Sequence, residues 1–369
     1  MQSWSPASRA FVGTRMLAPM VRVGTLPMRL LSLDYGADFV YGPEIVDKRI
    51  IGSERIVNEL LGTVDYVKNG TLNFRTAPRE KSRLVFQLGT ADPELAVQAA
   101  QLVAQDVAYV DVNCGCPKHF SLQGGMGAAL LETPDKLVDI LTALVKHSPV
   151  PVTCKIRMLP DRATTLALID RLVATGISAL AIHCRTRFMT PQDPGDWSFF
   201  TDVASQFGTR LPILVNGDVF DASDLDRAFG LRNVSGPPRP VHEVMQAYVR
   251  YAIRYDMIYQ NTKRKGKQLA QTRGLRAIAE FFGIEDEHDA LWPSARRGGS
   301  GRWHDDGEDL QDGEASLGHK DWNKDGGDEK ECPYIPNAPY IPTKKRKTGD
   351  VDGADLVAVS NDEAKTTSE

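Results

Sequence analysis

Two cysteines one glycine apart, in Asn113-Cys-Gly-Cys-Pro-Lys118, follow an apolar run at 108–112 that reads as a buried strand. A thiol just beyond the C-terminal end of a parallel strand lies where barrels and doubly wound sheets assemble their active sites. The spacing of Cys114 and Cys116 is too tight for a zinc knuckle or a thioredoxin-type pair, both of which hold two intervening residues. A small buried hydrophobe is the plain alternative for such a cysteine. Gly115 and Gln123-Gly-Gly-Met-Gly127 favour a ligand pocket, because backbone without Cβ atoms admits close approach. Lys155 and His183 suit an anionic ligand, and Asn216-Gly217-Asp218 offers approachable backbone beside them. Together they point to a phosphorylated cofactor held on the later strands of a barrel. Neither Gly-x-Gly-x-x-Gly nor a P-loop is present, which argues against a Rossmann-type main cofactor site.

Seven short apolar runs must position these residues: Leu17–Val21, Phe39–Ile45, Leu84–Leu88, Ala108–Val112, Val150–Ile156, Ala179–Ile182 and Pro212–Val215. They alternate with helical patterns, which predicts a parallel α/β architecture. Asp92-Pro93 and Thr133-Pro134 each open a helix with a cap and a proline in its first turn. Polar residues gather at the ends of six of these runs: Pro19-Met20, Gln87, Asn113 to Cys116, Lys155 to Arg157, His183 to Arg185 and Asn216 to Asp218. In a barrel, successive strand ends converge on one site.

The chain of 369 residues carries a net charge of −4 and five cysteines with no framework spacing, which suits a reducing compartment. No apolar stretch reaches the roughly 18–20 residues of a membrane span, so no membrane partner is expected. The reading divides the chain into an N-terminal extension (1–15), a barrel (16–236), a helical domain (237–292) and a disordered acidic tail (293–369). The helical part shows as Val241–Tyr259 and Leu269–Phe282. Its segment 250–276 is basic and carries Tyr251, Tyr255 and Tyr259 on one helical face, either as a core stripe or as base-stacking groups. The tail holds a proline every third residue from Pro333 to Pro342 and a Lys344-Lys-Arg-Lys347 run of nuclear-import type, each equally readable as solvated chain.

The set Ala18-Pro-Met20, Val40-Tyr-Gly-Pro-Glu44, Gln87, Val112-Asn-Cys-Gly-Cys-Pro117, Gly124-Gly-Met-Gly127, Lys155-Ile-Arg157, His183-Cys-Arg-Thr186 and Asn216-Gly-Asp218 resembles the tRNA-dihydrouridine synthase family. The resemblance runs from about residue 15 to 290 and is nearest the eukaryotic branch acting on position 20 of the tRNA D-loop. It implies a TIM barrel followed by a helical tRNA-binding domain, FMN as cofactor and NADPH as reductant. Flavin N5 would deliver hydride to C6 of a uridine, and Cys116 would protonate C5. Ala18, Pro19, Met20 and Gln87 would border the flavin ring, Lys155 would hydrogen-bond it, and His183 with Asn216, Gly217 and Asp218 would hold its ribityl-phosphate side. The tRNA contacts would be Asn113, Arg185, Arg250, Arg254, Lys263, Arg264, Lys265 and Lys267. A monomer without metal, in the cytoplasm, the nucleus or both, completes the expectation.

One departure stands out. After Ser223–Phe229 an eighth strand should follow, ending in a Gly-Arg or Ala-Arg pair on the FMN phosphate, but Gly230 runs straight into Leu231. Losing that strand leaves two unpaired sheet edges. Three competing readings follow: a truncated gene model, a tRNA-binding protein with impaired chemistry, and another flavin barrel oxidoreductase acting on a free pyrimidine.

Overall fold

Inward and outward side chains alternate along the central strands, apolar on the outer face and, on the inner face, apolar near the N-terminal ends and polar towards the C-terminal ends. In the computed structural model, which describes residues 4–190, 192–218, 240–255 and 274–291, the strands are β1 (Met16–Leu17), β2 (Phe39–Tyr41), β3 (Ile45–Val46), β4 (Glu54–Asn58), β5 (Thr63–Lys68), β6 (Thr71–Thr76), β7 (Leu84–Gly89), β8 (Tyr109–Cys114), β9 (Val152–Met158), β10 (Ala179–Thr186) and β11 (Ile213–Asn216). A curled parallel sheet runs β1-β2-β7-β8-β9-β10-β11, with β3 pairing β7 beyond β2. Each of the seven apolar runs contributes to it.

The outward residues Leu84, Phe86, Leu88, Val110, Val112, Cys154, Ile156, Leu180 and Ile182 are buried against the helices in one apolar core. Each large side chain so buried contributes about 1.5–3 kcal/mol. The helices are built for that face. Asp92 caps Pro93–Val103 by accepting from the Glu94 and Leu95 amides, and Ala96, Ala99, Ala100 and Val103 form its buried stripe. Helix Pro134–His147 buries Leu137, Ile140, Leu141 and Leu144 at the same spacing.

Inside the curl, Phe11, Phe39, Tyr41, Val85, Tyr109 and Ala179 form a second apolar cluster at the N-terminal end of the strands. Phe11 stacks on Phe39 with centroids 4.9 Å apart, Tyr109 donates to the Ala7 carbonyl at 2.9 Å, and Trp4 Nε1 donates to the Thr209 carbonyl at 3.1 Å. The residues before β1 are thus the floor of the barrel.

Strands β4, β5 and β6 form a separate antiparallel sheet that the sequence reading does not contain. It is tied to the barrel by ion pairs: Arg55 and the Tyr66 hydroxyl both donate to Asp106. A fully buried pair, Arg29 with Glu80, also draws on Thr76 of β6, and Arg29 Nη1 donates to the Gly24 carbonyl at 2.7 Å.

Helix Val241–Arg254 packs on the barrel helix Leu26–Asp34 and on Gly274–Phe281, burying Tyr248, Val249, Ala252 and Ile253. Tyr255 is buried, Arg75 donates to its carbonyl at 2.7 Å, and its ring stacks on Tyr251, whose hydroxyl meets Asp34 and Arg79. Both tyrosines therefore belong to the seam between helix and barrel. Tyr259, the helix expected at Ser223–Phe229, the Gly230 junction and the tail from 293 lie outside the described residues.

Among the described residues the sheet does not close. β1 and β11 each pair on one side only, and all four residues of β11 are half-buried where those of β7 and β8 are fully buried.

Candidate active site

Strand register sets the site in layers. Gln87, Asp111 and Thr153 are paired neighbours across β7, β8 and β9, and one step on Asn113 pairs with Lys155. Beyond them His183 pairs with Arg157 on one side and with Asn216 on the other. All these positions line the inside of the curl.

Asp111 is fully buried and accepts from Gln87 Nε2 at 2.9 Å and Thr153 Oγ1 at 2.7 Å. Burial raises its carboxyl to about 6, against the pull of those two donors. Gln87 Oε1 then accepts from Asn113 Nδ2 at 3.3 Å, leaving Asn113 Oδ1 to accept from the Gly115 and Cys116 amides. Arg157 grips the same loop from the other side, donating to the Gly115 carbonyl at 2.9 Å and the Thr186 carbonyl at 3.0 Å. Gly127 supports it from behind at φ +58°, where an added Cβ would lie 2.7 Å from the Cys116 carbonyl oxygen.

The two cysteines are thereby separated in role. Cys114 is fully buried in the outer core, 3.5 Å from the Cys154 sulfur. Cys116 is half-buried at the mouth, and burial together with the Glu44 charge pushes its thiol up to about 11. It therefore holds its proton near neutral pH, as a general acid must.

On the later strands positive groups crowd together. Lys155 makes no hydrogen bond among the described residues, and burial lowers it to about 8. His183 is pushed down to about 3, first by burial and then by Lys155, Arg157 and Arg185. Arg185 Nη1 stands 3.2 Å from His183 Nε2; a guanidinium only donates, so Nε2 accepts and the ring carries its proton on Nδ1. Arg185 also donates to the Asp193 carbonyl and to Asp218, which accepts in turn from the Gly195 amide. Gly217, at φ +104°, packs so close that a Cβ would meet His183 at 2.9 Å. A half-buried amine with no hydrogen-bond partner among the described residues, beside a neutral imidazole and a Cβ-free turn, fits an electron-rich or anionic ligand.

A dihydrouridine synthase (Dus) family model matches residues 16–235. The chain belongs to that family. Among its relatives, the tRNA-dihydrouridine(20) synthase of Schizosaccharomyces pombe, named for NAD(P)+, is 43% identical over 312 residues, which is 74% of this chain and 65% of the relative. The Saccharomyces cerevisiae protein of the same name is 45% identical over 227 residues, 58% of this chain and 59% of the relative. A tRNA-dihydrouridine(16/17) synthase of S. pombe is 33% identical over 224 residues, 60% of this chain and 53% of the relative. The chain thus spans about two thirds or less of the length of each.

Against the dihydrouridine synthase reading, the structure gathers Ala18, Pro19, Met20, Gln87, Asn113, Cys116, Lys155, His183, Arg185, Asn216, Gly217 and Asp218 at one end of the sheet. Met20 is on a loop held by Gly24, which would bring a Cβ within 3.3 Å of Pro43. Arg185 and Asp218 hydrogen-bond each other and the loop around Gly195, and Arg185 also donates to His183. Arg250 and Arg254 lie apart, on helix Val241–Arg254, where Arg250 is paired with Glu287 and Arg254 is exposed over the Tyr255 ring. Lys263, Arg264, Lys265 and Lys267 fall outside the described residues. Two residues quoted in the sequence without a role, Glu44 and Arg157, prove to touch the cysteine loop. Their signal was charge at the end of an apolar run, which does not by itself say what the charge faces.

Proposed function

We propose that this chain reduces a uridine of tRNA to 5,6-dihydrouridine, at position 20 of the D-loop, with Cys116 as the acid that protonates C5. The observation that carries the reading is a cysteine loop fixed by Asn113 and Arg157, with Cys116 at the mouth, at the same strand ends as Lys155, which has no hydrogen-bond partner among the described residues. Family membership supports it, and so do two relatives named for this modification. An oxidoreductase acting on a free pyrimidine has no use for the helical appendix.

The residues present fit FMN. Ala18 to Met20 and Gln87 would border its ring, Lys155 would donate to it, and His183 with Asn216–Asp218 would hold the ribityl-phosphate side. When bound and reduced by NADPH, the flavin supplies the hydride that C6 receives. The chain's own part is to position and protonate. The target base must leave its stack to reach a thiol inside a barrel mouth. Asn113, which fixes the loop, would also meet that base. As the hydride arrives, charge develops towards C5, and the Cys116 S–H bond breaks to form C5–H. Arg254 and the basic segment 263–267 would track phosphates, a contact weakened by salt.

A second reading, a tRNA-binding protein with impaired chemistry, is favoured by the edges of β1 and β11, which are unpaired among the described residues. Incubating the purified chain with FMN, NADPH and tRNA lacking dihydrouridine, then digesting the tRNA for mass spectrometry, separates the two. Dihydrouridine at position 20 is the expected result. Tight tRNA binding without product would support the second reading instead.

A further inference from the structure

Glu44 occupies a seat that the fold builds at some cost. Tyr41 pairs with Val85 and Ile45 with Leu88, so β2 and β3 span four residues where β7 spans three. The extra residue is a bulge at Gly42-Pro43-Glu44, a device that bends a strand and re-aims a side chain. Gly42 closes the near side by donating to the Val85 carbonyl at 2.9 Å, and Pro43 brings no N–H to be left unpaired. Gly89 at the end of β7 makes the room, since a Cβ there would lie 2.7 Å from Glu44 Oε1 and 3.3 Å from its Cγ and Cδ.

Both Glu44 carboxylate oxygens are buried and complete no hydrogen bond. The polar groups facing them are the Cys116 thiol and the Asn113 amide, and the Cys114 thiol also feels the charge. Ser121 adjoins the Cys116 thiol as well, and its hydroxyl is likewise buried without a partner. No lysine, arginine or histidine is among the groups that set the Glu44 charge. A carboxylate placed in such a site without a cation costs several kcal/mol, and an unsatisfied buried group in a native fold calls for a reason.

We propose that Glu44 is the proton-supplying and positioning partner of Cys116, restoring the thiol's proton after each transfer to substrate. The identity of the proton acceptor rests on uridine reduction; the pairing of Glu44 with the thiol does not. The balance is simple. The Cys116 S–H bond breaks to give C5–H, leaving the electron pair on sulfur. A Glu44 O–H bond then breaks to re-form S–H, and the carboxylate regains a proton from water. Burial raises Glu44 to about 7, so the carboxyl holds a proton part of the time near neutrality, while the thiol stays protonated between turnovers. The new negative charge on sulfur after transfer draws a proton onto Glu44 from the same side.

The test uses the full chain and needs neither flavin nor tRNA. Alkylation of Cys116 by iodoacetamide, followed peptide by peptide across alkaline pH, reports thiolate formation. Removing the facing charge in Glu44→Gln should lower the midpoint by about half a pKa unit, read as roughly threefold faster alkylation at about pH 9. Glu44→Asp should keep the wild-type direction of the shift. Should Glu44→Gln fail to fold, difference infrared spectra of wild type and Cys116→Ala near neutral pH give the same information. The protonated-carboxyl band should shift its titration when the facing thiol is removed. A Glu44→Gln alkylation profile superimposable on wild type, or a carboxyl band that ignores Cys116→Ala, would overturn the proposal.

Discussion

The side-chain oxygen of Asn113 accepts from the Cys116 amide at 3.0 Å and from the Gly115 amide at 2.9 Å. Its orientation is set from below. Asp111 accepts only, so Gln87 must turn its amide nitrogen down and its oxygen up, and Asn113 must follow suit. A carboxylate at the middle of the barrel thereby dictates the backbone of the reactive cysteine two layers above.

Asn113→Ala should strip both loop amides of their acceptor and cost about 1–3 kcal/mol, the usual penalty for buried donors left unpaired. Urea unfolding measures it. Asn113→Asp, which keeps the acceptor, should recover part of the loss at alkaline pH; equal stability of wild type and the alanine variant would dismiss the relay.

Glu80→Ala leaves the Arg29 guanidinium, 2% exposed, as an uncompensated buried charge. The expected loss is about 3–5 kcal/mol in denaturant. Replacing both partners by apolar residues of similar volume should restore much of it. Because Arg29 also holds the Gly24 carbonyl, limited proteolysis should find the Met20 loop opened in Glu80→Ala and closed in wild type.

Glu44 gives stability a pH dependence of definite sign. Its folded pKa of about 7 exceeds the ordinary 4.5, so the folded state binds the extra proton between those values. The contribution is fully present below about 4.5 and is lost as pH rises through about 7, by at most about 3 kcal/mol. His183, pushed down from 6.5, works in the opposite sense and cancels in a comparison of variants. Unfolding free energies of wild type minus Glu44→Gln should fall across this range; a flat difference would show that the carboxyl is not perturbed.

Much of this was legible in the sequence because outward strand faces bury large aliphatics, so apolar runs mark the strands and polar residues mark their ends. Three things were not. Strands β4 to β6 carry Glu54, Arg55, Asp65, Lys68 and Arg75, and the burial of Asp65 is made tolerable by its ion pair with Arg75, which no local pattern reveals. Phe11 precedes the first strand and looked like part of an extension; only its stacking on Phe39 makes it the floor. Glu44 owes its role to a bulge and to Gly89, forty-five positions away in sequence. Cys114 and Cys116, by contrast, were distinguishable only by family resemblance until the structure placed Cys114 at the end of β8 in the outer core and Cys116 on the loop that Asn113 turns over the mouth.

The edges of β1 and β11, unpaired among the described residues, carry a consequence for the chain as written. Unpaired edges invite association and weaken the site that spans them. Purified protein is expected to aggregate and to hold less than one flavin per chain, with solubility and yellow colour recovered when a family-like strand is inserted between Gly230 and Leu231. A soluble, monomeric, fully flavinated protein from the unmodified sequence would show that another segment closes the barrel.

The assignment of Cys116 is tested most directly by dihydrouridine formed in tRNA by three proteins supplied with excess FMN and NADPH: wild type, Cys116→Ala and Cys114→Ala. Wild type and Cys114→Ala should both yield dihydrouridine, with Cys114→Ala slowed only mildly by its core defect. Cys116→Ala should yield essentially none while binding tRNA as wild type does. Product from Cys116→Ala at the wild-type rate, or its loss in Cys114→Ala alone, would contradict the role assigned to Cys116.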